Sequence, residues 1–231
     1  MLLGIAAYNY RNFDLIARQY SQCFITPKQE TYSNRILQFR RNQTITMRKN
    51  RVCPVERARS LDLRIRRWFQ NPQKILYPYI NDGMTVLDLG CGPGFFSLDL
   101  ARMVGKNGRV IASDLQDGML QELQGKIEAT EYAERIVLHK CEEDRIGIAD
   151  RVDLVLAFYV IHEIPDKTRL FREIASILNP NGIVFISEPP FHVSGKAFRL
   201  TIQAALEAGL AEVPGERPRA MLSKTAVLRK A

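Results

Sequence analysis

The sequence is poor in cysteine and histidine, with four and three in 231 residues. Cys23, Cys53, Cys91 and Cys141 lie far apart, and no Cys-x-x-Cys pair occurs. That spacing argues against a zinc cluster and a disulfide framework, so no metal is expected and a reducing, cytoplasmic setting is the default. Long apolar runs are missing as well. The longest, Val152 to Ile164, is interrupted by Asp153, His162 and Glu163, and it falls short of the roughly 18 to 20 residues that a spanning helix needs. No membrane segment is expected. Leu2 to Ala7 is apolar, but no basic residue precedes it and no small-residue cleavage pattern follows, so a secretory signal is not expected.

What is present is an ordinary globular composition in a chain long enough for one sizeable domain plus an appendage. The net charge of +8 is unevenly placed: residues 1–74 hold 15 Lys+Arg against 4 Asp+Glu, whereas residues 75–231 hold 18 against 21. The basic excess therefore belongs to the N-terminal third. Residues 1–52 show no sustained periodicity and read as a basic arm. Met47 opens MRKNRVCP, where the domain-like pattern begins, and is a candidate translation start that would make residues 1–46 an extension. Residues 53–83 read as a helical lead-in. Leu61, Ile65, Trp68 and Phe69 recur at helical spacing after a capping Ser60, and Asn71-Pro72 opens a second short helix through Leu76.

From residue 84 to 231 strand and helix alternate. Strands are predicted near 84–89, 109–113, 135–140, 152–158 and 182–187, with helices near 94–104, 116–130 and 167–178. Gly105 and the turn Asn179-Pro180-Asn181-Gly182 mark helix ends. A further helix near 195–208 precedes two strands, around 210–214 and 223–229, with no long helix between them. The pattern predicts an α/β fold, a doubly wound and mostly parallel sheet closed by an antiparallel edge.

The segment VLDLGCGPGFFS places Gly90, Gly92 and Gly94 where the first strand gives way to the first helix. Glycines there let the backbone turn sharply and approach a ligand, and a helix start offers N–H groups. Three details narrow the ligand. A Gly-Lys-Ser/Thr ending is absent, so no triphosphate cradle is expected. Position 95 is Phe where G-x-G-x-x-G requires glycine, which weakens a dinucleotide reading. Asp88, two residues before the first glycine, suits an ammonium group and would repel a pyrophosphate. Asp114, which ends the apolar strand VIASD, is placed to accept hydrogen bonds from ribose hydroxyls. An amino group and a ribose without a phosphate requirement describe S-adenosylmethionine.

VLDLGCGPG, the acid of VIASD, CEED after the third strand, DLVLAFYVIHEI at the fourth and LNPNGIVFISEP into the fifth together resemble the ordered motifs of class I S-adenosylmethionine-dependent methyltransferases. The resemblance covers residues 72 to 230 and is closest to small-molecule-type domains, broadly akin to quinone and arsenite methyltransferases. It implies a Rossmann-like seven-stranded sheet with a reversed final strand. It also implies that Asp88 and the backbone at Gly90 and Gly92 face the methionine moiety, that Asp114 binds ribose, that Glu142, with Glu143 as runner-up, sits near the adenine amino group, and that Phe158 lies beside the cofactor.

His162 and Glu163 follow the fourth strand, where an acceptor would approach the methyl group, and are the candidate catalytic residues; histidine is the side chain best suited to proton transfer near neutral pH. The structural alternatives are a loop hydrogen bond for His162 and a helix cap for Glu163. No Asn-Pro-Pro-aromatic motif follows the fourth strand, which argues against methylation of exocyclic base amines or glutamine amides. Arsenite chemistry calls for cooperating cysteines, and Cys53 and Cys141 are widely separated. A small-molecule acceptor is expected. The alternatives are RNA docked on Arg57, Arg59, Arg64, Arg66 and Arg67, a noncatalytic cofactor-binding subunit, and a nicotinamide oxidoreductase.

Overall fold

The computed structural model describes residues 70–128, 130–215 and 223–230. The basic arm, the helix expected from Ser60, Cys53 and the arginines from Arg57 to Arg67 lie outside the described residues. The first described helix, α1 (Pro72–Leu76), is capped by Asn71, whose side chain accepts from the Lys74 N–H at 3.1 Å, with Pro72 at its first position. This is the short helix that Asn71-Pro72 predicted, and it buries Ile75 and Leu76.

After the turn at Asn81–Gly83 the alternation follows as β1 (Thr85–Leu89), α2 (Ser97–Met103), β2 (Arg109–Asp114), α3 (Asp117–Ile127), β3 (Ile136–Lys140), β4 (Val152–Phe158), α4 (Lys167–Ile177), β5 (Leu178–Glu188), α5 (Gly195–Glu207), β6 (Leu210–Glu212) and β7 (Lys224–Lys230). The seven strands form one sheet in the order β3-β2-β1-β4-β5-β7-β6. β1 to β5 run parallel, and β7 enters antiparallel between β5 and β6. The strand order reverses between β2-β1 and β4, which opens a crevice at the carboxyl ends of β1 and β4, the usual ligand position in open α/β sheets.

The strands read as nearly continuous apolar runs because both faces are covered. Successive residues point to opposite sides, so Val86, Val110, Leu154 and Phe185 pack with residues from α1, α2 and α3. Leu87, Ile111, Val155 and Ile186 pack with α4 and α5. Among the described residues no helix is long and apolar enough to cross a membrane.

Two boundaries differ from expectation. α2 starts at Ser97, not near residue 94, because Gly94 has φ +84°, a conformation that no helix contains. β5 starts at Leu178, not near residue 182: Leu178 pairs with Val152, and the register then jumps to Leu154 opposite Ile183. The Asn-Pro-Asn-Gly turn is thus a bulge inside the strand, with Asn181 at φ +67° and Pro180 where no ladder N–H is needed. Asp153, the β4 residue opposite the bulge, fastens it. Its carboxylate accepts from the Asn179 amide at 2.7 Å and from the Thr85 backbone N–H of β1 at 2.9 Å. Asp153→Ala removes both acceptors at once; the expected cost is about 1–3 kcal/mol, read in urea as a lower unfolding midpoint at constant slope.

Candidate functional site

The loop after β1 is held by β2. Gly90 and Cys91 both donate their N–H groups to the Ser113 carbonyl, at 2.8 and 3.0 Å, and the next glycine, Gly92, donates to the Asp114 carboxylate at 2.9 Å. Lys126 of α3 donates to the Pro93 carbonyl at 2.7 Å. Gly90, Gly92 and Gly94 have φ of 68°, 53° and 84°, a region that side chains larger than glycine enter only with strain. Their flanks differ. A Cβ at Gly90 would come within 2.5 Å of Val160, so the loop backbone lies directly against the segment after β4. At Gly92 no atom lies within 4 Å of the corresponding position, and that flank of the loop is open.

Both acids that the sequence marked are buried. Asp88 is 2% exposed, and its carboxylate accepts from the Ser97 hydroxyl at 2.6 Å, which ties β1 to the start of α2. Asp114 is 7% exposed; besides Gly92 it accepts from the Gln116 N–H at 2.9 Å. Burial pushes its carboxyl above the usual carboxylate range, opposed by the N–H groups of Gln116, Gly92 and Leu115. Burial, reinforced by Asp88 and Asp114, raises the Cys91 thiol well above its ordinary value, so Cys91 is an uncharged loop residue. Glu142 and Glu143 lie on the exposed turn after β3. The Glu142 side chain is 60% exposed and pairs with Arg145 at 2.5 Å, turned toward its own turn. His139, on β3, has its Nε2 2.7 Å from the Ile146 carbonyl.

The end of β4 supplies the opposite wall. Phe158 is buried, its ring 4.4 Å from Phe96 and 4.5 Å from Tyr159. Tyr159 has φ +64°, a left-handed conformation that costs an aromatic residue about 1–3 kcal/mol. Its N–H still donates to the Ser187 carbonyl of β5 at 2.8 Å, and its hydroxyl lies 2.7 Å from the Gln70 amide and 2.6 Å from the Ser223 hydroxyl. After Val160 the chain closes a 3-10 turn at Ile161–Glu163, with the Glu163 N–H donating to the Val160 carbonyl at 3.0 Å.

That turn carries His162 onto Glu188, the fully buried last residue of β5. One Glu188 oxygen accepts the His162 backbone N–H at 3.0 Å, and the other lies 2.6 Å from Nδ1 of the ring. The His192 ring meets His162 edge-on at 5.1 Å. Burial and the neighbouring His162 push His192 below the usual imidazole range, with Glu188 opposing. The structure thus brings together the glycine loop, Asp88, Asp114, Phe158 and His162 at the carboxyl ends of the parallel strands, while Glu142 faces Arg145. Ser97 and Glu188 are the partners that sequence reasoning missed. Glu188 was detectable, since GIVFISE breaks from apolar residues into an acid at its last position just as VIASD does.

Residues 80–216 match a protein family described as a methyltransferase domain. An arsenite methyltransferase of Halobacterium salinarum is 35% identical over 107 residues, covering 46% of this chain and 27% of that protein. A demethylmenaquinone methyltransferase of Lactobacillus johnsonii is 31% identical over 110 residues, covering 47% of this chain and 45% of that protein. The chain therefore spans less than half the length of these curated relatives. Among solved structures, an S-adenosylmethionine-dependent methyltransferase from Aquifex aeolicus superposes with a TM-score of 0.67 at 24% identity, over 76% of this chain and 97% of that one. The sheet order, the reversed β7, the glycine loop fastened to an acid at the end of β2 and the match across residues 80–216 agree: the chain belongs to the class I S-adenosylmethionine-dependent methyltransferase family.

Proposed function

We propose that this protein transfers a methyl group from S-adenosylmethionine to a small-molecule acceptor, with His162 taking the acceptor's proton and Glu188 holding His162 in place. The observation that carries the reading is the commitment of both Glu188 oxygens to His162, on the segment whose Val160 lies against Gly90. The names of the relatives, a demethylmenaquinone and an arsenite methyltransferase, support a small acceptor.

The residues present fit the cofactor. The open flank at Gly92 and the narrow turn at Gly90 and Gly94 would let backbone meet the methionine moiety. Asp88 supplies a buried carboxylate suited to a cationic group, and Asp114, already oriented by two backbone N–H groups, would accept from the ribose. Glu142 would reach the adenine amino group by leaving Arg145, an exposed ion pair that solvent screening keeps weak. Phe158 would wall the cofactor on the β4 side.

When bound, S-adenosylmethionine supplies a methyl group already activated on a sulfonium, so alignment, water exclusion and proton removal remain for the protein. Glu188 is positioned to orient the imidazole. With Nδ1 turned to a carboxylate, proton uptake falls to the other ring nitrogen. Glu163, half-buried on the same turn, borders the acceptor side.

Methyl-labelled S-adenosylmethionine incubated with the protein and a cell extract is expected to label the small-molecule fraction. Label confined to RNA would transfer the acceptor role to RNA and point to the basic stretch before residue 70, and no label despite cofactor binding would make the chain a noncatalytic binding subunit. Asp114→Ala is expected to weaken cofactor binding at least tenfold, about 1.4 kcal/mol, by calorimetry; unchanged affinity would refute the ribose assignment. His162→Gln should slow turnover by about 10² to 10⁴ without changing cofactor affinity. Glu188→Gln should slow it as well, yet add little in the His162→Gln background, because the two act as a unit; additive losses would separate them.

A further inference from the structure

We propose that Ser187 and Tyr159 form the polar end of the acceptor subsite and bind a neutral oxygen, a carbonyl or hydroxyl, of the acceptor; this rests on the methyltransferase reading above.

Ser187 is fully buried on β5, and its hydroxyl meets no hydrogen-bond partner among the described residues. Native structures seldom leave a buried hydroxyl unsatisfied, and each such group asks for a reason. Its position supplies one. Ser187 is in register with Phe158 on β4 and with Thr225 on β7, at the carboxyl end of the sheet. Alternation along β5 puts its side chain on the face of Phe185, the face covered by α1, α2 and α3. Its carbonyl holds the Tyr159 N–H.

Tyr159 carries the second observation. In an extended strand, consecutive residues 158 and 159 would point to opposite faces. The left-handed backbone at Tyr159 sets the two rings against each other at 4.5 Å, on the side of Phe96. Phe95, Phe96, Phe158 and Tyr159 then form a continuous line of ring contacts running from the glycine loop to the Tyr159 hydroxyl. That hydroxyl is set by Gln70 and Ser223. An acceptor lying along the ring line would have an apolar wall beside its body, the Tyr159 hydroxyl at its end and the Ser187 hydroxyl on the strand position paired with Phe158.

The charged groups of the surrounding strands are directed elsewhere, Asp88 to Ser97, Glu188 to His162 and Lys224 to the Pro190 carbonyl. Hydroxyls, which both donate and accept, suit an uncharged oxygen better than a carboxylate or phosphate.

The test titrates the small-molecule fraction of a cell extract against the wild type, Ser187→Ala and Tyr159→Phe, with methyl-labelled S-adenosylmethionine in excess. Both variants are expected to raise the half-saturating extract concentration roughly three- to tenfold, the loss of one neutral hydrogen bond, while cofactor affinity by calorimetry stays within about twofold. Ser187→Ala is also expected to melt no lower than the wild type, since it removes a hydroxyl that the free protein leaves unsatisfied. A wild type that binds the cofactor but labels nothing would overturn the methyltransferase reading and this assignment with it. A wild type that labels small molecules, with half-saturation unchanged in either variant, would overturn the assignment alone. So would a Ser187→Ala protein whose melting temperature and cofactor affinity fall together, the signature of a packing residue.

Discussion

Three consecutive N–H groups of the loop after β1 are collected by two residues at the end of β2. The Ser113 carbonyl takes those of Gly90 and Cys91, and the Asp114 carboxylate takes that of Gly92. This clamp fixes the path of the loop across the carboxyl end of β1. It holds the left-handed backbone at Gly90 and Gly92 against the many conformations open to glycine. Burying Asp114 is costly, as the rise of its carboxyl above the usual range records. The cost is offset because hydrogen bonds to an ionised acceptor are among the stronger ones, and here they orient loop and carboxylate together.

The clamp also sets the far wall. Held to β2 on one side, Gly90 lies directly against Val160 on the other, with no room for a side chain between them. The segment after β4 is therefore registered to the loop through packing, while its own geometry is fixed from β5: the Ser187 carbonyl holds Tyr159, and Glu188 holds His162. Adjacent β5 residues thus hold the two candidate acceptor-side groups, Tyr159 through a backbone carbonyl and His162 through a carboxylate. A ligand at the crevice would meet elements anchored to β1, β2, β4 and β5, all within the parallel part of the sheet.

Much of this was legible in the sequence because it rests on short-range physics. Apolar runs bounded by turns gave the strands, helical spacing gave α3 and α4, and the tail without a long helix gave the reversed β7. Asp88 is marked by its place two residues before the first glycine, and Asp114 as the acid that ends an apolar strand. What escaped detection depends on pairings far apart in sequence. Ser97 meets Asp88 only because the loop reverses direction, and Glu188 meets His162 only because β5 lies beside β4. Asn179-Pro180-Asn181-Gly182 predicts a helix end, because Asn, Pro and Gly signal a turn in either setting; only the register with β4 identifies a bulge.

The same rule that located Asp114 applies to Glu188, and the two acids differ in an instructive way. Each terminates a buried strand, each is nearly inaccessible, and each accepts a backbone N–H from the loop that follows a neighbouring strand, Gly92 in one case and His162 in the other. The second acceptor position separates them. Asp114 spends it on the Gln116 N–H, two residues on, so its clamp is wholly backbone and insensitive to side-chain chemistry. Glu188 spends it on an imidazole nitrogen, a group that can carry a proton. An acid at the end of a buried strand thus organises the adjacent loop in both cases, and the identity of its second partner separates a clamp on backbone alone from one that also orients an imidazole.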